Sequence, residues 1–200
     1  MDVFHITFIV LFLAMAAIRS YYRWQGRAGN TSERTAEPVA TAIKIFVGAP
    51  LMLGILGYLI RPQILNWSSF PLPAAWRWAG AAIVAGSLAG LMWVHAALAK
   101  NFSSSLRIRS DQTLVTSGPY RYVRHPMYSA FLLMFIGMGL LAANWFIGAG
   151  GVLLVVLFMV FRTPQEEAMM VNAFGDQYRR YAETTGRFFP RLRTHPTAIV

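Results

Sequence analysis

The sequence predicts an all-α polytopic membrane protein, with about five transmembrane helices and a cytoplasmic C-terminal helix. Three observations carry that prediction. Hydrophobic residues make up 56% of the chain and charged residues only 13%, too apolar for an ordinary soluble domain. The apolar residues fall in long runs. The basic residues behind the net charge of +10 sit between those runs. They therefore read as topology signals, not as a continuous nucleic-acid footprint.

A helix needs about 20 apolar residues to cross the hydrocarbon core. Val3–Ile18 is slightly short, but Asp2 and Arg19 flank it and can snorkel. Tyr21, Tyr22 and Trp24 follow in place of a small-residue cleavage site, which suits an interfacial anchor and not a removed signal peptide. Ala42–Ile60 is the second span, with Lys44 near one end and Pro50 as a tolerable kink. Ala74–Ala99 is the third, and Gly80, Gly86 and Gly90 would let neighbouring helices approach closely. Met127–Phe161 carries no charge, yet as one helix it would be roughly 50 Å long, well beyond a bilayer. A tight hairpin at Ala143-Asn144-Trp145 divides it into the fourth and fifth spans.

Charge placement tests that count. Arg19, Arg23, Arg27 and Arg34 follow the first span, and Lys100, Arg107, Arg109, Arg121 and Arg124 follow the third. Arg162, Arg179, Arg180, Arg187, Arg191 and Arg193 populate the tail, whereas the intervening loops hold only Arg61 and Arg77. This alternation puts the N-terminus outside and the tail inside. Gly26–Pro38 reads as a simple polar connecting loop. Residues 1–200 form a single membrane domain: 1–100 are the N-terminal spans, and 101–193 the cofactor-binding and catalytic region.

After the last span, Thr163-Pro164-Gln165-Glu166 has the form of a helix start: a capping Thr, Pro at the first position, and Glu completing a capping box. Met170, Phe174, Tyr178 and Tyr181 then share one face, predicting a helix along the membrane surface or against the loop before the fourth span. There is no cysteine, which removes disulfides, thiolate metal sites and cysteine nucleophiles. His5, His95 and His195 make no metal spacing, and His95, inside the third span, reads as core. No metal site is expected. Gly148, Gly150 and Gly151 lie within an apolar span, where packing explains them better than a nucleotide loop does.

Two polar clusters adjoin the charge-free hairpin. One is Leu114-Val115-Thr116-Ser117-Gly118-Pro119-Tyr120-Arg121-Tyr122-Val123-Arg124-His125-Pro126-Met127-Tyr128. The other runs from Arg162 through Glu167 and Phe174-Gly175-Asp176-Gln177-Tyr178 to Arg187-Phe188-Phe189-Pro190. The hairpin returns to the side it left, so the two are brought within reach of each other. Taken alone, each residue has two readings. Arg124 and His125 can cap a helix start or bind a ligand, and Glu166 can complete a capping box or face a cavity. Arg162 can be a positive-inside anchor or an anion binder.

Together these motifs resemble the isoprenylcysteine carboxyl methyltransferase family over about Asn101 to Leu192, through LVTSGPYRYVRHPMY and EEAMMVNAFGDQYRRYAETTGRFFP. The resemblance implies an integral membrane methyltransferase using S-adenosylmethionine and releasing S-adenosylhomocysteine, with its active site cytoplasmic. It implies that Gln112, Thr113, Leu114, Val115 and Tyr120 line the cofactor, with His125, Pro126, Met127, Tyr128 and Glu166. Gln112 stands where the family commonly has His. Arg162, Arg124 and Glu167 would be catalytic, Arg162 gripping an anionic acceptor group with its planar fork. The expected partners are the bilayer and a lipophilic acceptor, a prenylcysteine-type carboxylate by resemblance, with no nucleic acid and no metal. The alternatives are a small thiol or lipid amine as acceptor and, from another class, an NADPH-dependent membrane reductase.

Overall fold

The computed structural model describes residues 2–27, 37–98 and 113–191, and these form eight α-helices joined by short turns. Helix α1 spans Val3–Arg27, continuing past the apolar run to Ile18 because the aromatic and basic residues beyond it extend the helix as an interfacial stalk. Tyr21 and Trp24 are exposed there. Next comes one continuous run of α2 (Pro38–Ile43), a π-helical turn (Lys44–Gly48) and α3 (Ala49–Ile60). Pro50 explains the π turn: it has no N–H, and its ring would strike the carbonyl one turn back, so the ladder widens before it.

A 3-10 turn, Pro62–Ser68, leads to α4 (Ala74–Leu98). The hairpin is α5 (Pro126–Ala142) and α6 (Trp145–Phe161), followed by α7 (Thr163–Phe174) and α8 (Asp176–Thr184). Four helical runs are long and apolar enough to cross a bilayer, and α5, with 17 residues, is the shorter fifth. Among the described residues there are no strands, only isolated bridges.

The hairpin turn falls where the sequence places it. Ala143 takes the left-handed conformation, with φ 50° and ψ 48°, and Asn144 caps α6 by accepting from the Ile147 N–H at 3.1 Å. The Asn144 amide nitrogen also donates to the Leu65 carbonyl at 3.0 Å and the Ser68 hydroxyl at 2.8 Å. Asn144 is thus a fully buried polar residue with both ends satisfied.

Helix α5 lies between α4 and α6. A Cβ on Gly80 would come within 2.6 Å of the Leu141 nitrogen, so α4 and α5 can touch only because that position is Gly. Gly148 and Gly151 fill the same role against α5, the latter beneath Phe135. Gly86 and Gly90 do not: nothing lies near them, because they face outward from the bundle. Phe8, Ile55, Leu91, Met134, Leu141 and Ile147 form the buried centre. His95 is buried and stacks on Tyr22 at 4.3 Å.

Two expectations for the tail are corrected. Arg162 has helical backbone angles, so α6 runs into α7 without a new start, and no side chain caps α7. The Thr163–Glu166 capping box therefore does not form; Thr163 is buried inside a continuing helix. Nor is the tail one amphipathic helix. Gly175, at φ 53° and ψ −128°, adopts a conformation open to little but glycine and separates α7 from α8. Met170 and Phe174 consequently lie on a different helix from Tyr178 and Tyr181.

Candidate functional site

The two polar clusters meet at one end of the hairpin. His125 occupies the cap position of α5, with Pro126 at the first helical position, but its side chain caps nothing. Its ring reaches α7 instead: Nε2 lies 3.2 Å from Glu167 Oε1 and Nδ1 lies 3.5 Å from Glu166 Oε2. One turn into α5, the Tyr128 hydroxyl donates to Glu166 Oε1 at 3.1 Å. Arg162, one helical turn before Glu166, places Nε 3.0 Å from the same Oε1. That nitrogen is buried and makes no directed hydrogen bond, so the contact is an ion pair only.

Glu167 collects the other cations. Arg124 Nε donates to Oε1 at 3.1 Å, and Arg187 reaches both carboxylate oxygens. Arg124 also donates to the carbonyls of Ala182 and Thr185. Backbone pairing fastens the segment after α8 beside the first cluster. The Arg124 N–H donates to the Gly186 carbonyl at 2.8 Å, and the His125 N–H to the Arg187 carbonyl at 2.9 Å. Ser129 Oγ bonds the Phe188 carbonyl, and the Phe188 ring lies 5.7 Å from that of His125. Residues 185–188 thus form a strap over the site.

Electrostatics follow from these contacts. Burial opposes the imidazolium of His125, but the bonds to Glu166 and Glu167 outweigh it and raise its pKa above the ordinary value. Burial alone would raise the Glu167 carboxyl; His125 and Arg187 bonds, with the Arg124 charge, hold it well below the carboxylate range. Both shifts favour the charged forms, the carboxylate of Glu167 and the imidazolium of His125. Tyr120 is pushed up, chiefly by burial and then by Tyr181 and Glu166. Its carbonyl accepts from the Tyr181 hydroxyl at 2.6 Å.

Of the expected residues, the fold brings Arg124, His125, Tyr128, Arg162, Glu166 and Glu167 together, with Tyr120 beside them. Pro126 is buried as the first residue of α5, and Met127 packs against the hydrophobic core. Leu114 and Val115 are half-buried and Thr113 is exposed in the approach to the Gly118–Arg121 turn. Gln112 lies outside the described residues. A cleft of about 440 Å³ opens nearby, lined by Thr116, Arg121, Tyr122, Tyr181, Thr184 and Thr185 among others. Thr185 of the strap borders it, and neither Glu166 nor Glu167 lines it. Sequence reasoning missed Glu37, whose Oε2 lies 3.7 Å from Arg162 Nε. Its signal was an acidic residue directly before Pro38, on the basic side of a chain with only eight acidic residues.

Residues 79–172, just under half of the chain, match the isoprenylcysteine carboxyl methyltransferase (ICMT) family. That segment resembles ICMT-family sequence. It begins within α4, earlier than the motifs alone suggested, and ends within α7, so it contains both halves of the hairpin and its polar end. Among curated proteins, the chain is 37% identical over 84 residues to the cobalt-zinc-cadmium resistance protein CzcN of Cupriavidus metallidurans, covering 42% of this chain and 38% of that one. It is 34% identical over 86 residues to the protein-S-isoprenylcysteine O-methyltransferase B of Arabidopsis thaliana, covering 42% and 44%. It is also 34% identical over 77 residues to the methanethiol S-methyltransferase of Pseudomonas deceptionensis, covering 38% and 28%. The chain thus spans less than half the length of these relatives. The solved structure of a eukaryotic intramembrane Ras methyltransferase, ICMT, matches in fold, with a TM-score of 0.56 and 19% identity over 92% of this chain and 67% of that one. The ICMT segment and this fold make the chain a multi-pass integral membrane protein.

Proposed function

We propose that this chain transfers a methyl group from S-adenosylmethionine to a lipophilic or membrane-embedded acceptor at the polar end of the α5–α6 hairpin. One observation carries the reading. Within the ICMT-family segment, Arg162, Glu166, Tyr128 and His125 converge on one point where an uncharged hairpin meets the basic side of the protein.

The residues fit the cofactor. A sulfonium amino acid needs an anion beside its ammonium and hydrogen-bond donors beside its carboxylate. Glu166 would supply the first, while His125 and Tyr128 would supply the second by turning from their carboxylate partners. When bound, the cofactor supplies an activated methyl group whose transfer is an in-line displacement, so positioning carries much of the work. Arg162 orients the acceptor: its Nε side is seated against carboxylates, and its planar fork matches an anionic group. Arg124 and Glu167 hold the strap and loop around the site.

A prenylcysteine-type carboxylate is the acceptor we favour, because an ionised carboxylate needs no base. A small thiol is the second reading, favoured by the likeness to the methanethiol enzyme. Residues 101–193 carry the chemistry, with the site and C-terminus cytoplasmic and the N-terminus external. Calorimetry on detergent-purified protein tests the cofactor: S-adenosylhomocysteine binds and NADPH does not. The reverse result makes the protein a reductase. Methyl transfer to S-farnesylcysteine, measured against methanethiol, then separates the two acceptors.

A further inference from the structure

Glu37 is out of place for a loop residue. It sits at the cap position of α2, where a side chain would ordinarily bond the free N–H groups of its own helix, and it makes no such bond. Its carboxylate is only 12% exposed and is turned instead towards the start of α7, with Oε2 3.7 Å from Arg162 Nε. Glu166 meets the same nitrogen at 3.0 Å. A carboxylate is costly to hide unless a cation compensates it, and Arg162 offsets part of that cost for Glu37. Nε of Arg162 lies within ion-pair reach of both carboxylates with a hydrogen bond to neither, so the guanidinium is drawn electrostatically from two separate helices.

We infer that Glu37 is a positioning residue for Arg162: a carboxylate from the second membrane run, outside the family-matched segment, that aims the guanidinium fork at the acceptor. The inference rests on the acceptor-orienting role proposed above. Glu166 alone cannot do this, because it is shared with Tyr128 and His125. A second carboxylate, fixed to a different helix, prevents the fork from swinging about the Glu166 contact. It also makes the N-terminal spans part of the reaction's geometry.

The test uses the full chain in detergent with Glu37→Gln and Glu37→Asp. Glu37→Gln should raise the KM for S-farnesylcysteine roughly tenfold and lower transfer, while S-adenosylhomocysteine affinity and melting temperature stay near the parent's. Glu37→Asp, which keeps the charge, should recover part of the loss. A Gln variant with parental KM overturns the inference, as does equal loss of cofactor affinity or a collapse of melting temperature in Gln but not Asp. A second readout needs no activity: the Arg162 Nε–H signal in ¹⁵N-arginine-labelled protein, assigned with Arg162→Lys. Its chemical shift, which reports the charge beside Nε, should move in Gln and return towards the parent's in Asp, even in a protein that methylates nothing. An unchanged shift sinks the Glu37 role; a changed shift without any methyl transfer sinks the proposed function alone.

Discussion

Tyr128 donates its hydroxyl to Glu166 at 3.1 Å, tying the first turn of α5 to the first turn of α7 across 38 positions of sequence. Tyr128→Phe removes the donor and keeps the ring. The half-buried carboxylate then loses one partner, and stability should fall by about 1 kcal/mol. Affinity for S-adenosylhomocysteine should fall with it if Glu166 faces the cofactor. Denaturation and calorimetry on one preparation measure both. Lost stability with unchanged affinity per folded molecule would assign the bond to architecture alone.

Arg162→Lys retains the charge next to Glu166 but gives up the planar fork. We expect methyl transfer to drop substantially while cofactor affinity changes little. An anchor needs only a positive charge, so a Lys variant that transfers at the parental rate removes Arg162 from acceptor binding.

The His125 contacts predict a pH dependence. Its folded-state pKa is raised above the unfolded value of about 6.5, so protonated His125 stabilises the fold. That contribution is complete below about pH 6.5 and is lost as pH climbs through the folded pKa. Melting temperature should therefore decline over that alkaline range, and the decline should flatten in His125→Asn. Parallel curves for the two proteins would show that another group titrates.

Asn144→Ala strips the hairpin turn of its cap and strands the Ile147 N–H, while the Leu65 carbonyl and Ser68 hydroxyl lose one partner but keep their bond to each other. A loss of about 1–3 kcal/mol is expected, the cost of one stranded buried group and two weakened ones. Thermal melting in detergent reads this directly; a variant as stable as the parent would mean water replaces the amide.

Orientation has its own test. A reporter after Val200 should read cytoplasmic and one before Met1 external. A cytoplasmic N-terminus would reverse the placement of Arg162 and Glu166.

The sequence made the hairpin legible because a charge-free run twice the length of a span must turn, and Asn144 lay where a cap was needed. The Arg162–Glu166 pair was legible because four residues make one helical turn. The convergence of RHPMY with the EE pair was visible as a family pattern. What escaped notice depends on tertiary context. The capping box at Thr163 was a sound local pattern, overridden because α6 simply continues through Arg162. The Gly175 break was hidden because Met170, Phe174, Tyr178 and Tyr181 keep helical spacing across it. Glu37 was overlooked because a polar residue in a short connection carries no periodicity, and only the packing of α2 against α6 reveals its partner.

Helix α5 has 17 residues. At about 1.5 Å per residue that is roughly 26 Å, shorter than a hydrocarbon core of about 30 Å, whereas α6 continues into α7 and has no such deficit. Hydrophobic mismatch at α5 must then be absorbed by local thinning of the lipid or by drawing one end of the helix inward. Drawing in the His125 end would carry the polar cluster towards the depth of the lipid carbonyls. A long-chain acceptor of the proposed kind would meet it there with its hydrocarbon tail still immersed, and reaction would not require lifting the tail into water.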